Sequence, residues 1–423
     1  MIILLAYVAI FVVAYVAVRQ ISGRLTHLWG VTARKTVTFG DESAVTSDRW
    51  ASVISVITIF LLWGAFTGSK LTPFHVPGPF IGETSFTYTS ENLDGTRDDA
   101  TVAVLVFEVG AEGDFNPPEV EPGPGFAKND SVKVGAWRSV LVRVDKNDES
   151  GREDGAKVVA IDGQEVEPGD SVNVNSGTVT ISSKGTPNFK PAEGWQMEPI
   201  WLPSPEAVVS RVTEIAQHGY QNSTLFQHVG WSLFRVVAGF VLGSLVGIPL
   251  GYAMGLNGWC RGWFDPIVEF MRPVPPLALI PLVIIWAGIG EFGKIILLFL
   301  AALWIMAIAA RAGVSGVAIS KVHAAYSLGA NKFQILRRVI IPNSLPEIFT
   351  GARVAMGVCW GTVVAAELVA AERGAGMMIM VASRFQLTDI VIMGIILIGI
   401  IGFGIDILMR TTERWLIPWK GRG

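Results

Sequence analysis

Apolar residues run unbroken for long stretches at both ends of this chain, and alternate with polar residues in between. Residues 2–18 (IILLAYVAIFVVAYVAV) are apolar throughout, and 52–69 form a second run. Further runs lie at about 231–255, 272–289, 294–310, 350–370 and 389–409. Each comes close to the roughly 20 residues that cross a bilayer as a helix. The pattern predicts an all-α polytopic membrane protein of seven spans. No basic segment precedes 2–18 and no small-residue cleavage site ends it, so it reads as a retained span rather than a signal peptide.

Residues 70–200 differ. TVAVLVFEVG, WRSVLVRVD, AKVVAIDG and DSVNVNSGTVTIS are short β-type segments separated by turn signals such as DG and PGD. They predict a small all-β or loosely ordered module inserted between spans. After it, LPSPEAVVSRVTEIAQ predicts an amphipathic helix opened by Ser204 and Pro205 and resting on the membrane surface.

Within 231–255, Gly239, Gly243, Gly247, Gly251 and Gly255 recur every fourth residue. That spacing places them on one slowly drifting helix face, which a second helix can approach closely. Residues 256–272, with Arg261, Asp265, Glu269 and Arg272, read as a short polar turn. Pro273, Pro275, Pro276 and Pro281 then argue against a regular helix at the start of the next span. GIGEFG, with Glu291, reads as an outer turn, and ELVAAERGAGMMIMVASRFQLTD as an outer connection with re-entrant character.

Composition and charge sharpen this picture. The chain has 423 residues, 51% of them hydrophobic and 16% charged, with mean hydropathy +0.47. The charged share is well below the roughly 25% of a soluble domain. Residues 69–200 carry 22 acidic against 11 basic side chains, so the small net charge of -3 hides an acidic module and a basic membrane part. That arrangement does not suggest nucleic-acid binding. Arg19, Arg24, Arg34, Lys35 and Arg49 mark 19–49 as cytoplasmic by the positive-inside bias, and Arg410, Arg414, Lys420 and Arg422 do the same for the C-terminus. The predicted topology is N-out and C-in, with 70–200 outside and 311–349 inside. Predicted domains are 1–50 (an extra span and cytoplasmic loop), 51–69 (the first core-type span), 70–200 (the outer insertion) and 201–423 (the core).

Chemistry-bearing motifs are sparse. There is no GxxxxGK[ST] phosphate loop, no HExxH and no CxxC, and the two cysteines sit in or beside apolar segments. No catalytic residues and no metal site are predicted. Arg235, Arg272 and Arg353 are candidate sources of positive potential along a pathway, or interfacial anchors, and Glu367 is a candidate gating or pairing carboxylate.

One cytoplasmic stretch stands out, HAAYSLGANKFQILRRVIIP at 323–342. HAAYSLG reads as a helix with Ala324, Ala325 and Leu328 on a compact face, Gly329 as its end and a hinge or close-approach point, and FQILRRVII as a second helix stopped by Pro342. Periodicity allows either a rigid knob beneath the membrane or a hairpin resting on the headgroups.

This stretch resembles the cytoplasmic EAA loop of permease subunits in ABC importers: Glu-Ala-Ala, three residues, Gly, nine residues, then Ile, one residue and Leu-Pro. Here the positions are His323-Ala324-Ala325, Gly329, Val339 and Ile341-Pro342. His323 replaces the glutamate, and Val339 and Ile341 are aliphatic departures. LPSP at 202–205, SLFRVVAGF at 232–240, GIPLG at 247–251, MRPVPPLALIPLVIIWAGIGEFGK at 271–294, GARVAMGVCWGTVVAAELVAAERGAGMMI at 351–379 and IPW at 417–419 resemble the nitrate/sulfonate/taurine branch. The resemblance implies a MetI-like transmembrane domain carrying an extracytoplasmic β-rich insertion. It implies a non-catalytic subunit in a bacterial inner membrane, working as a homodimer with two ATPase subunits and a periplasmic substrate-binding protein. ATP and Mg would be used by the ATPase partners, with no cofactor on this chain, and the cargo would be a small anion such as a sulfonate, taurine or nitrate. Two other classes compete: a non-transporting scaffold or sensor using the outer module, and a secondary transporter.

Overall fold

The computed structural model describes residues 49–419 apart from 110–112, 114 and 150–155, together with a few positions between 9 and 20. Most of the expected first span at 2–18 and of the loop 19–48 therefore lies outside the described residues. The chain divides into two compact units, 1–206 and 207–423.

The first unit contains an apolar helix α1 (Arg49–Thr67) and a β module. Strands β1 (Gly82–Glu91), β2 (Arg97–Phe107), β3 (Asp130–Gly135), β5 (Lys157–Ile161) and β6 (Gln164–Glu165) form one sheet in the order β3-β2-β1-β5-β6. Strands β4 (Val140–Leu141), β7 (Ser171–Val174), β8 (Gly177–Ile181) and β9 (Pro187–Pro191) form a second, in the order β4-β9-β8-β7. The alternation seen in the sequence is the reason: Ala100, Val102, Val104 and Val106 of β2 all point inward and are buried. Phe86 of one sheet stacks on Phe189 of the other, ring centroids 5.9 Å apart. At the Asp162-Gly163 turn both residues have positive φ (46° and 74°), as a tight two-residue hairpin requires. A parallel pairing, β2 with β3, is bridged by a long acidic connection.

The second unit is helical. It comprises α2 (Pro205–His218), α3 (Leu225–Leu256), α4 (Gly258–Met271), α5 (Ile280–Ala287), α6 (Glu291–Ser315), α7 (Ile319–Ser327), α8 (Lys332–Ile335), α9 (Ile341–Ala370), α10 (Ala375–Arg384) and α11 (Thr388–Leu416). Thr224 and Gln227 cap α3 reciprocally, the Thr224 N–H donating to Gln227 Oε1 at 2.9 Å. Arg211 of α2 is tied to Asp389 of α11 at 2.5 Å.

Among the described residues four helices are long and apolar enough to cross a membrane, or five if a bent pair counts as one span. The helix at 52–67 is apolar but shorter. Three readings of the sequence change. Residues 256–272 are not a short turn: 258–271 form α4, opened by the Asn257 side chain accepting from the Trp259 N–H at 2.9 Å. Arg261, Asp265, Glu269 and Arg272 look like loop residues in sequence, but spacings of four and three put them on one face of a helix. The span expected at 272–289 is a short 3-10 turn at Pro276–Leu279 followed by the eight-residue α5, and α4 meets this segment at 95°. Finally, Pro342 does not stop its helix. Residues 336–340 form a π-helical turn in which the Ile341 N–H bonds to Leu336 O, five residues back. Pro342 follows that turn directly, and the helix continues to Ala370.

Candidate functional site

The connection from α6 to α9 is built from local signals. Helix α7 ends in a Schellman motif: the Ala330 N–H bonds to Ala325 O at 3.1 Å and the Gly329 N–H to Tyr326 O at 2.9 Å. Gly329 closes the motif at φ +79°. A Cβ at this position would meet nothing within 4 Å, so it is a turn residue and not a point of close approach within the chain. One residue later Asn331 and Gln334 form a capping box that opens α8. Lys321 Nζ donates to Asn343 Oδ1 at 2.8 Å and fastens α7 to the start of α9.

The surface of this loop is apolar where a surface loop is normally polar. Leu328 is 88% exposed and Phe333 68%, with Ile319 and Tyr326 also exposed. His323 and Ala324 lie in the open beside them, while Ala325, Val339, Ile341 and Pro342 are half-buried. Leu328, read from the sequence as part of a compact face, has no cover among the described residues.

All five spaced glycines of α3 face α6. A Cβ at Gly243 would fall 2.7 Å from Ala302 Cβ, one at Gly247 2.6 Å from Leu303 O, and one at Gly255 2.8 Å from Val314 Cβ. Gly239 is blocked by Leu298, and Gly251 by Ala307 and Ala310. The side of α6 that meets them is itself rich in small residues, with Ala301, Ala302, Ala307 and Ala310 buried.

At the end of α6 away from α7 sits a largely buried charge cluster. Arg235 of α3 is 1% exposed and forks onto Glu291 of α6 through Nε (2.5 Å) and Nη2 (2.7 Å). Its Nη1 reaches Glu367 of α9 at 2.5 Å and Arg373 O at 2.8 Å. Lys294 supplies a second cation to Glu291 at 3.0 Å. Glu367 also accepts from Ser232 Oγ (2.8 Å) and from the Gly376 N–H (2.9 Å). Ser232 in turn accepts from the Ala375 N–H at 3.0 Å. His228 accepts from the Gly374 N–H through Nδ1 (3.1 Å), so its proton lies on Nε2, which donates to Tyr220 O at 2.9 Å. Two cations face two carboxylates, and every group is hydrogen-bonded, which is what a buried ionic site needs to persist.

The other candidate cations are placed differently. Arg272 is exposed and 3.7 Å from Glu269. Arg353 pairs with Glu413 and lies 3.8 Å from Asp406. Of the four pathway or gating candidates, Arg235 and Glu367 are joined and Arg272 and Arg353 stand apart from them. Ser232, His228, Lys294 and the Gly374–Gly376 amides escaped sequence reasoning, since no motif announces them. Among the described residues no group of three or more His, Cys, Asp or Glu side chains is placed to hold a metal ion.

A cavity of about 540 Å³ opens beside the cluster, walled by Glu291, Lys294, Glu367, Glu372, Met377 and Arg384 among others.

Comparison with known proteins now bears on these features. Residues 239–418 match the family described as binding-protein-dependent transport system inner membrane component. Over 226 residues the chain is 47% identical to the taurine transport system permease protein TauC of Escherichia coli (strain K12), covering 53% of this chain and 82% of that protein. The chain belongs to this family. The putative aliphatic sulfonates transport permease protein SsuC of the same organism is 37% identical over 227 residues, 54% of this chain and 84% of that protein. The bicarbonate transport system permease protein CmpB of Synechococcus elongatus is 31% identical over 194 residues, 46% of this chain and 70% of that protein. This chain is therefore an ABC transporter permease with a membrane-embedded helical domain. The family match begins at Gly239, so the β module lies wholly outside it.

Proposed function

We propose that this permease is the membrane subunit of an ATP-driven importer for a small sulfonate-type solute, and that 311–349 is the handle by which it is driven. The observation that carries the reading is the α7–Gly329–α8 unit. It is stiffened by a Schellman motif and a capping box, and it exposes Leu328 and Phe333 with no cover among the described residues. An ATPase subunit docks on that apolar tip. Two such subunits, carrying ATP and Mg, sit beneath two copies of the permease, and a periplasmic binding protein delivers the solute from the other side. Closure of the ATPases moves the α7–α8 unit of each copy, and α6 and α9 transmit the motion because the unit joins their ends directly. A ligand-driven switch needs different affinity for the two states, and ATP supplies it at the partner. His323 presents an imidazole where the EAA pattern has a carboxylate, so the ATPase cleft must accept a different contact there.

The membrane is the bacterial inner membrane, crossed seven times with the N-terminus out and the C-terminus in. The β module then stands outside. The relatives' named solutes (taurine, sulfonates, bicarbonate) support a small anionic or zwitterionic cargo, with the highest identity on the taurine side. The test is affinity purification of the tagged permease co-expressed with an ABC ATPase subunit from the same organism. Stable association that is lost when Leu328 and Phe333 are both changed to Asp supports the reading. Association untouched by that change would remove the loop from it.

A further inference from the structure

We infer that the β module is seated on the bilayer surface by an apolar collar at its base, which enters the lipid headgroup layer where α1 leaves the membrane. The partner is lipid, and this rests on α1 crossing the membrane as in the topology proposed above. The collar is formed by the segments 69–78 and 194–203, which lead into and out of the module. Both are hydrogen-bonded to the last turn of α1. The Val76 N–H donates to Ala65 O at 3.2 Å, the Met197 N–H to Phe66 O at 2.8 Å, and Trp63 Nε1 to Pro203 O at 2.9 Å. The segments also bond to each other: the Trp195 N–H donates to Pro77 O at 2.7 Å and Gln196 Nε2 to Val76 O at 3.0 Å. Buried Ser69 donates to Glu206 at 2.6 Å, and the Lys70 N–H donates to the same carboxylate at 3.0 Å. A Cβ on Gly64 would collide with Thr72, and one on Gly194 with the Gly78 carbonyl. The module is therefore fastened to α1 by close backbone contacts at its base, not hung on loose linkers.

That junction is where the hydrocarbon ends. The 19 residues of α1 rise about 28 Å as a helix, against a bilayer core of about 30 Å. Ala65 and Phe66 then lie at the edge of the core, and the segments bonded to their carbonyls lie at headgroup level. On those segments Leu71, Phe74, Trp195, Met197 and Trp201 are all exposed, Trp201 by 74%. Trp137, by contrast, packs against the module's own core. Tryptophan favours the membrane interface, because its ring is apolar and its N–H finds a partner among the headgroups. In water these side chains would leave bare apolar surface at the one part of the module that α1 holds against lipid. Lys70, exposed at the same junction, brings a cation to the lipid phosphates while its stem lies along apolar surface.

Four positions test this in the full chain: Val56→Cys, Phe74→Cys, Leu93→Cys and Trp201→Cys, each alone, with Cys260 and Cys359 changed to Ala. All four are exposed, so a label replaces no core contact. Leu93 lies beyond the far end of the 10-residue β1, a strand about 33 Å long. Each variant is labelled with an environment-sensitive fluorophore and reconstituted in phosphatidylcholine–phosphatidylglycerol vesicles, with iodide present on both sides for the aqueous arm. The Phe74 and Trp201 labels should lose most fluorescence to lipid carrying a nitroxide near the headgroup. The Val56 label should lose most to a nitroxide deep in the acyl chain, and the Leu93 label should be quenched by iodide alone. Either collar label decides the matter. Quenching by iodide as at Leu93, with none by lipid, overturns the collar. Protection from both quenchers also overturns it, because protein would then cover these residues. A Val56 label untouched by either nitroxide lipid would remove α1 from the membrane, and the collar would fall with it. A lipid-quenched Val56 label beside water-exposed collar labels overturns the collar alone.

Discussion

Arg235 Nη1 stands 2.5 Å from Glu367 Oε1, and the two side chains are 1% and 0% exposed. The pair joins α3 to α9, and the fork onto Glu291 adds α6. Removing the cation leaves the buried Glu367 without a counter-charge, while Glu291 keeps Lys294. Arg235→Met should therefore cost about 3–5 kcal/mol, seen as a lower melting temperature of the detergent-purified protein. Arg235→Lys should recover little, since one ammonium cannot replace the fork. Adding Glu367→Gln to Arg235→Met should restore part of the loss. An unchanged melting temperature in Arg235→Met would show that the cluster contributes nothing to stability.

The glycine face of α3 gives a sharper steric test. Gly243→Val places a branched side chain where even a Cβ meets Ala302 at 2.7 Å, so α3 and α6 must separate. Overpacking of this kind costs about 1–3 kcal/mol or more, and monodisperse protein should be lost on size exclusion. Gly230→Ala, in the same helix, meets nothing within 4 Å and should elute like wild type. If both behave alike, close approach is not what the spacing serves.

Gly329 separates conformation from contact. Its φ of +79° is costly for a branched residue and cheap for asparagine, while no neighbour obstructs either side chain. Gly329→Val should uncouple ATP hydrolysis from the binding protein while leaving the membrane helices folded, and Gly329→Asn should stay coupled. Equal coupling in both would mean that the turn is not a mechanical element.

In the β module, burial raises the Asp130 carboxyl to about 7, with the nearby charge of Asp148 adding to it. Asp148 is itself raised by burial, and the buried Tyr88 hydroxyl, which bonds to it at 3.1 Å, is pushed upward too. The folded module thus holds a proton that the unfolded chain releases near the usual carboxylate value of about 3.9. This contribution to stability is fully present below that value and disappears as pH rises through about 7. The module's melting temperature should fall between about pH 5 and about pH 8, and Asp130→Asn should flatten the slope. A melting temperature that rises over this interval would contradict the assignment.

The features that were legible in the sequence are those written locally. The glycine spacing, the Gly329 turn and the alternation in β2 each depend on neighbours within a few residues, and each specifies its own geometry. The runs at 231–255, 294–310, 350–370 and 389–409 were legible for the same reason, because a bilayer demands continuous apolar length. What was not legible depends on distant partners or on mixed signals. Arg235 meets Glu291 and Glu367 across 56 and 132 residues, so sequence inspection offers it as a free cation when it is enclosed. Helix α4 hides behind four charged residues that look like a loop until their spacing is placed on a helix. The π-helical turn before Pro342 changes the register by one residue, and no residue type marks it, so the proline reads as a stop.

In the proposed function α7, Gly329 and α8 convert a partner's ATP hydrolysis into movement of the permease. The most direct measurement is ATP-dependent uptake of labelled 2-aminoethanesulfonate into proteoliposomes holding the permease and its ATPase, with the binding protein added outside. The account predicts uptake that requires ATP and the binding protein, is lost in Gly329→Val and is kept in Gly329→Asn. Uptake that proceeds without ATP, or that is the same in both variants, would contradict it.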